Sequence, residues 1–99
     1  MKTLSSLFSY WKLAGYEIQM TMIYKDKARI IDGPHYNGSA VYHTIVNRSN
    51  VGFCDRAHII HRVSAAGDVL GMISADLHFG DDTLFIKNAK LSTLVEYMN

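Results

Sequence analysis

Histidine is the residue of this chain that could most readily do chemistry, because its side chain changes charge near neutral pH. The sequence contains five histidines: His35, His43, His58, His61 and His78. His58 and His61 have the i, i+3 spacing of a metal pair on a helix, but the isoleucines between them favour a strand, on which they point to opposite sides. The zinc-binding spacings are also absent from the sequence. The sequence therefore predicts no metal site and no cofactor.

A predicted hairpin collects polar side chains on one face of a sheet. We pair its two strands across a turn at residues 64–68. This register places Arg56 opposite Asp76, where cross-strand side chains are close enough to interact. It also places His58 opposite Ser74. The face carries a candidate polar surface of six residues: Arg56, His58, Arg62, Ser74, Asp76 and His78.

This candidate polar surface allows two interpretations. It could bind an anion or do acid–base chemistry, as in a metal-independent hydrolase or nuclease that uses His58, Asp76 and His78. The alternative is a solvated sheet face, where exposed pairs of arginine and aspartate contribute only about 0–1 kcal/mol. His61 lies among aliphatic residues and is expected to be a hydrogen-bonded core residue. Cys54 has no base beside it in the sequence and is expected to be a small buried residue.

A second candidate site is a basic hairpin formed by Lys25, Lys27 and Arg29. Basic residues interleaved with aromatic ones can hold phosphates and stack bases, which makes nucleic-acid binding a further alternative. However, Trp11 and Tyr24 belong to the apolar sides of a predicted helix and strand, and we expect both in the core. The net charge of +1 also argues against an extended nucleic-acid surface.

The composition is that of one small globular domain. A length of 99 residues suits a single domain, and an apolar fraction of 48% with 19% charged residues argues against disorder. One cysteine cannot form an internal disulfide, so a disulfide-stapled secreted scaffold is excluded and a cytoplasmic location is expected. No stretch of the sequence approaches the roughly 20 apolar residues that span a bilayer.

Apolar stripes predict a helix at each end of the chain. The i, i+3, i+4, i+7 spacing occurs in Leu4, Leu7, Phe8 and Trp11 and again in Leu91, Leu94, Val95 and Met98. We predict a helix over residues 4–14 that Thr3 caps and Gly15 ends. A second predicted helix follows its cap, Asn88, and runs to about residue 98.

Between these helices apolar and polar residues alternate, which predicts strands. The predicted strands cover residues 16–24, 28–32, 39–46, 57–64, 69–79 and 83–87. The expected fold class is α+β, with a single twisted antiparallel sheet of five to six strands. A short N-terminal helix and a short C-terminal helix are expected to pack on one face of that sheet.

These features favour a function that depends on binding another protein rather than on catalysis. Eleven aromatic residues and five methionines are types found at protein interfaces, although they also fill cores. Two edge strands would be available for β-augmentation. We therefore expect a non-enzymatic protein-binding domain that inhibits another protein, pairs with a second copy as a homodimer through an edge strand, or does both. Small viral and mobile-element proteins often act in this way, an analogy drawn from size and the lack of motifs.

Overall fold

A computed structural model describes residues 3–31, 40–49, 53–64 and 66–98, with the backbone alone at 31, 71 and 72. The helices and strands in these ranges are α1 (Leu4–Leu13), β1 (Glu17–Tyr24), β2 (Lys27–Ile31), β3 (Ala40–Asn47), β4 (Arg56–Val63), β5 (Val69–Phe79), β6 (Asp82–Ala89) and α2 (Leu91–Met98). The strands form one antiparallel sheet in the order β2-β1-β3-β4-β5-β6. The predicted α+β fold is confirmed. His35 and the predicted loop at 32–38 lie outside the described residues.

The start and end of α1 follow local sequence signals. Thr3 Oγ1 accepts a hydrogen bond from the Ser6 backbone N–H at 3.1 Å, and Ser6 Oγ accepts one from the Thr3 N–H at 3.2 Å. This capping box satisfies two N–H groups that the helix itself leaves without partners. Gly15 follows the helix with a φ of 87°, a left-handed conformation that costs glycine little. Both predicted end signals of the first helix are confirmed.

The start of α2 differs from the prediction. Asn88 belongs to β6, which continues to Ala89. Its φ of 54° and a register shift in the β5–β6 pairing identify a β-bulge with one extra residue in β6. The Leu94 N–H donates to the Lys90 carbonyl at 3.1 Å, so Lys90 occupies the capping position. The prediction that Asn88 caps α2 is wrong, because the bulge uses the left-handed conformation that asparagine tolerates.

Both helices cover the same face of the sheet. The apolar stripes of the helices supply five buried core residues: Leu4, Leu7, Trp11, Leu94 and Met98. A cross-strand row of buried residues lies in the same face: Met20, Thr44, Ile59 and Ala75. The apolar members of both sets belong to one hydrophobic core, which explains why the helices at the two ends of the chain carry the same spacing of apolar residues.

Candidate functional site

The candidate site is the sheet face opposite the helices, which we call the uncovered face. Side chains alternate along each strand, so every second residue of the sheet belongs to this face. Its four cross-strand rows are Glu17, Asn47, Arg56, His78 and Thr83; Gln19, Ile45, His58, Asp76 and Phe85; Ile30, Thr21, His43, Ile60 and Ser74; and Ala28, Ile23, Val41, Arg62 and Leu70. In the part of the chain that the structure describes, no helix or strand packs on this face.

Large apolar side chains are exposed across the uncovered face. The exposed fraction is 66% for Ile30 on one edge strand and 67% for Phe85 on the other, with 39% for Ile60 and 42% for Leu70 between them. Scattered single apolar residues are normal on a protein surface, whereas apolar residues gathered on one face mark a binding surface. The uncovered face carries these four of the exposed large apolar side chains in the described chain.

The six residues of the predicted polar surface all lie on the uncovered face, but their pairing differs from the prediction. Arg56 is opposite His78, and His58 is opposite Asp76. The predicted pairs of Arg56 with Asp76 and of His58 with Ser74 are wrong. The cause is an irregularity in β5 between the hairpin turn and this part of the ladder.

The irregularity changes the register without changing the faces. Arg62 pairs with Leu70, and Ile60 pairs with Ser74. Ile60 and Arg62 are two positions apart in β4, whereas their partners Ser74 and Leu70 are four positions apart in β5. The β5 strand therefore contains two extra residues. Because side chains alternate with a period of two, a shift of two leaves every residue on its predicted face. Gly71 is the sequence signal that could have located the shift, since glycine inside a strand pattern indicates a bulge.

His58 and Asp76 border a shallow hollow of about 160 Å³ on the uncovered face, with Ile60 and Phe85 also in its walls. The ring centroids of His58 and His43 are 5.7 Å apart. Across the described ranges, no ion pair joins His58 to Asp76, and no group of three histidine, cysteine or acidic residues could hold a metal ion. Small-molecule sites usually exceed about 300 Å³, so this hollow suits one inserted side chain better than an enclosed substrate.

The geometry of the sheet divides the three residues of the predicted basic hairpin between the β1–β2 turn and the helix side of the sheet. Lys25 lies in the β1–β2 turn, with its Nζ 5.3 Å from the centroid of the Tyr24 ring. Lys27 and Arg29 pair with inward-facing residues of β1, which places both on the helix side of the sheet. Trp11 is fully buried as predicted, but Tyr24 is 37% exposed, because β1 continues past the core that the helices cover. The prediction that Tyr24 lies in the core is wrong.

A larger hollow of about 400 Å³ opens at one end of the uncovered face. Its walls include Glu17 and Arg56, which stand on either side of Asn47 in one cross-strand row. Both charged residues are exposed, and among the residues described here neither side chain has a hydrogen-bond or ion-pair partner. Glu17 was not a sequence candidate, since only the strand order β1-β3-β4 brings it within two strands of Arg56.

Arg48 anchors the same end of the sheet. Its Nε donates to the Cys54 carbonyl at 3.1 Å, and its Nη1 donates to the Ala14 carbonyl at 3.0 Å. The guanidinium lies 4.3 Å from the ring centroid of Tyr16, whose hydroxyl donates to the Cys54 carbonyl at 2.7 Å. Arg48 thereby connects the end of α1 to the segment before β4. Its side-chain acceptors are backbone carbonyls, which leave no signal in the sequence.

Three buried groups have shifted pKa values, and their environments favour the uncharged forms. Burial raises the pKa of the Cys54 thiol, whose Sγ donates to the Arg56 carbonyl at 3.3 Å, so a nucleophilic thiolate is disfavoured. Burial also raises the pKa of Tyr16. Burial lowers the pKa of His61 to about 4. The predictions of Cys54 as a small buried residue and of His61 as a hydrogen-bonded core residue are confirmed.

Neither helix of the described ranges is long and apolar enough to cross a membrane. Comparisons with protein-family models, with curated proteins and with solved structures found no match to this chain. The geometry and chemistry of the uncovered face are therefore the basis for inferring a function.

Proposed function

We propose that this chain is a non-enzymatic protein-binding domain whose uncovered face docks against another protein. The exposed apolar side chains of Ile30, Ile60, Leu70 and Phe85 on that face are the observation that carries the proposal. Removing apolar surface from water stabilises a contact by about 25 cal/mol per Å².

The edge strands support protein binding less well than the uncovered face does. β2 has five residues and carries Lys27 and Arg29. β6 carries Lys87 beside the bulge at Asn88. Lysine side chains and bulges on an edge strand disfavour pairing with another strand. β-Augmentation, which the sequence also allows, is therefore the weaker form of the proposal.

Catalysis by His58, Asp76 and His78 has less support than protein binding through the uncovered face. The hollow beside His58 and Asp76 has a volume of about 160 Å³, which is small for a substrate site. His78 lies opposite Arg56 in the next row, and its Nδ1 is 3.3 Å from Thr83 Oγ1. A docking face needs none of these groups as an acid or a base.

We also propose a cytoplasmic location. Cys54 is a buried free thiol, and a reducing compartment keeps such a thiol unmodified. Inhibition of a larger target, as small viral and mobile-element proteins perform it, would be one use of the same docking face.

Site-specific photo-cross-linking tests the docking face. A photoreactive amino acid replaces Ile60 or Phe85 on the uncovered face and, as a matched control, Leu13, which is 90% exposed at the end of α1. Each purified variant is irradiated alone and in an extract of the cells that produce the protein. We expect covalent protein adducts from positions 60 and 85 and none from position 13. Equal labelling from all three positions, or no adduct from the uncovered face, would contradict the proposal.

A further inference from the structure

We propose that His43 and His58 form a binding site for a divalent transition-metal ion such as Zn²⁺ on the uncovered face. His43 lies on β3 and His58 on β4, the two central strands of the sheet. His43 pairs with Ile60, which is two residues from His58, so the two histidines occupy a diagonal of the β3–β4 ladder. Aromatic side chains on such a diagonal are within reach of each other. The site shares the uncovered face with the proposed docking surface but does not depend on docking.

The spacing of the two imidazole rings suits one shared ion. Their centroids are 5.7 Å apart, and the ring planes are inclined to each other by 48°. With Zn–N bonds of about 2.1 Å, two imidazoles that bind the same tetrahedral ion have their centroids about 5–6 Å apart. Rotation of the two side chains is therefore sufficient to bring one nitrogen of each ring to the ion, without movement of the strands.

Both rings are available to a ligand. The two side chains are partly exposed, and within the described residues neither His43 nor His58 has a hydrogen-bond or ion-pair partner. Neutral imidazole is a ligand that suits Zn²⁺, Cu²⁺ and Ni²⁺. An ion between the rings therefore displaces no internal contact of the described chain other than the contact of the rings themselves.

The two other described histidines do not share these properties. His61 is buried in the core, where its Nε2 is 2.8 Å from Thr44 Oγ1. His78 lies on the corresponding diagonal of the β4–β5 ladder, but its Nδ1 is 3.3 Å from Thr83 Oγ1 on β6. The ring of His78 is thus directed towards β6 and away from His58, which leaves two protein ligands for the ion.

Two protein ligands predict an exchangeable ion and not a structural one. Structural zinc sites have four protein ligands and catalytic zinc sites three, whereas no third histidine, cysteine or acidic residue of the described ranges joins this pair. Asp76 is opposite His58, and Arg56 is two residues from His58 on the same face. These two neighbours have opposite charges, so their effects on a cation largely cancel. The affinity therefore depends on simultaneous binding by both rings.

Isothermal titration calorimetry of the untagged chain with Zn²⁺ tests this site at about pH 7.5, where free histidine is neutral. We expect one ion per chain with a Kd tighter than about 100 μM. His43→Gln and His58→Gln should each weaken binding by about tenfold or more, because one remaining imidazole cannot chelate the ion. His78→Gln removes a histidine of the same face outside the pair and should keep the Kd within about twofold of the wild type. Far-UV circular dichroism checks that each variant keeps the fold.

Nuclear magnetic resonance gives a second readout of the same site. The ring-proton signals of His43 and His58 should shift together as Zn²⁺ is added, while those of His61 and His78 stay in place. The absence of saturable binding below about 1 mM Zn²⁺ would overturn the site. Losses of only about twofold in both single variants would overturn it as well, since histidines that bind independently behave in that way. A tenfold loss in His78→Gln would overturn the two-histidine geometry.

Discussion

His61 Nε2 and Thr44 Oγ1 lie 2.8 Å apart inside the core, on the neighbouring strands β4 and β3. The His61 ring stacks on Tyr42 with ring centroids 5.6 Å apart, and its Nδ1 has no hydrogen-bond partner within the described structure. The site is suited to a neutral imidazole, because a second proton would place an unpaired charge in the core. Burial accordingly lowers the pKa of His61 to about 4.

Acid should destabilise the fold through His61. The unfolded residue takes up a proton near pH 6.5, whereas the folded residue does so only near pH 4. The stabilisation is therefore complete above pH 6.5 and is lost progressively as the pH falls towards 4. This difference in pKa corresponds to about 3 kcal/mol of the free energy of unfolding. Urea unfolding across this pH range should show the loss in the wild type, and His61→Leu should lack that part of the pH dependence.

Thr44→Val provides the matched control for the His61 prediction. It removes the hydroxyl at nearly constant volume and leaves His61 Nε2 without its partner, which should cost about 1–3 kcal/mol at neutral pH. Adding His61→Leu should cost less than the sum of the two single changes, because both remove the same hydrogen bond. Additive costs, or parallel pH curves for the wild type and His61→Leu, would contradict this role of the pair.

Arg48→Lys should destabilise the protein although it conserves the charge. Lysine cannot donate from two fixed positions to the carbonyls of Ala14 and Cys54 while stacking on Tyr16. We expect a loss of about 2 kcal/mol in chemical denaturation, since hydrogen bonds from charged groups are among the stronger ones. Arg29→Lys, at an exposed position of β2 outside the uncovered face, is the control and should stay within about 0.5 kcal/mol of the wild type.

Substitutions at Asn88 should report the left-handed bulge in β6. At a φ of 54° glycine is unstrained, so Asn88→Gly should match or exceed the wild-type stability. Asn88→Val should lose about 1–2 kcal/mol, because a β-branched side chain clashes with the backbone in this conformation. Thermal unfolding of the two variants compares them directly. A more stable valine variant would show that residue 88 does not adopt a left-handed conformation in solution.

The divided basic hairpin should bind nucleic acid only weakly. Lys27 and Arg29 lie on the helix side of the sheet, and Lys25 lies in the turn above Tyr24. We expect a Kd for a duplex oligonucleotide no tighter than about 10⁻⁴ M at physiological salt, the weak end of non-specific binding. Fluorescence anisotropy at several salt concentrations measures this affinity. Tight binding that weakens steeply with salt and is lost in K25Q/K27Q would favour the nucleic-acid alternative instead.

The sequence by itself determined the helices, the strands and the two faces of the sheet. The i, i+3, i+4, i+7 stripes predicted α1 and α2, Thr3 and Gly15 marked the ends of α1, and β5 has the predicted bounds of Val69–Phe79. These features depend on side-chain periodicity and on backbone preferences within a few residues. The same periodicity placed all six candidate polar residues on one face, and a shift of two residues could not move them from it.

Only the tertiary structure decided which of those residues meet. The strand order places Glu17 within two strands of Arg56, and the irregularity in β5 places His58 opposite Asp76. The hydrogen-bond acceptors of Arg48 are backbone carbonyls of residues that are distant in the sequence or lie in another segment. Strand order and register are selected by the energy of a whole ladder and a shared core, summed over segments far apart in the chain. The pattern of residues within one segment does not determine this total energy. The faces of the sheet could therefore be predicted from the sequence, whereas the contacts between side chains of neighbouring strands could not.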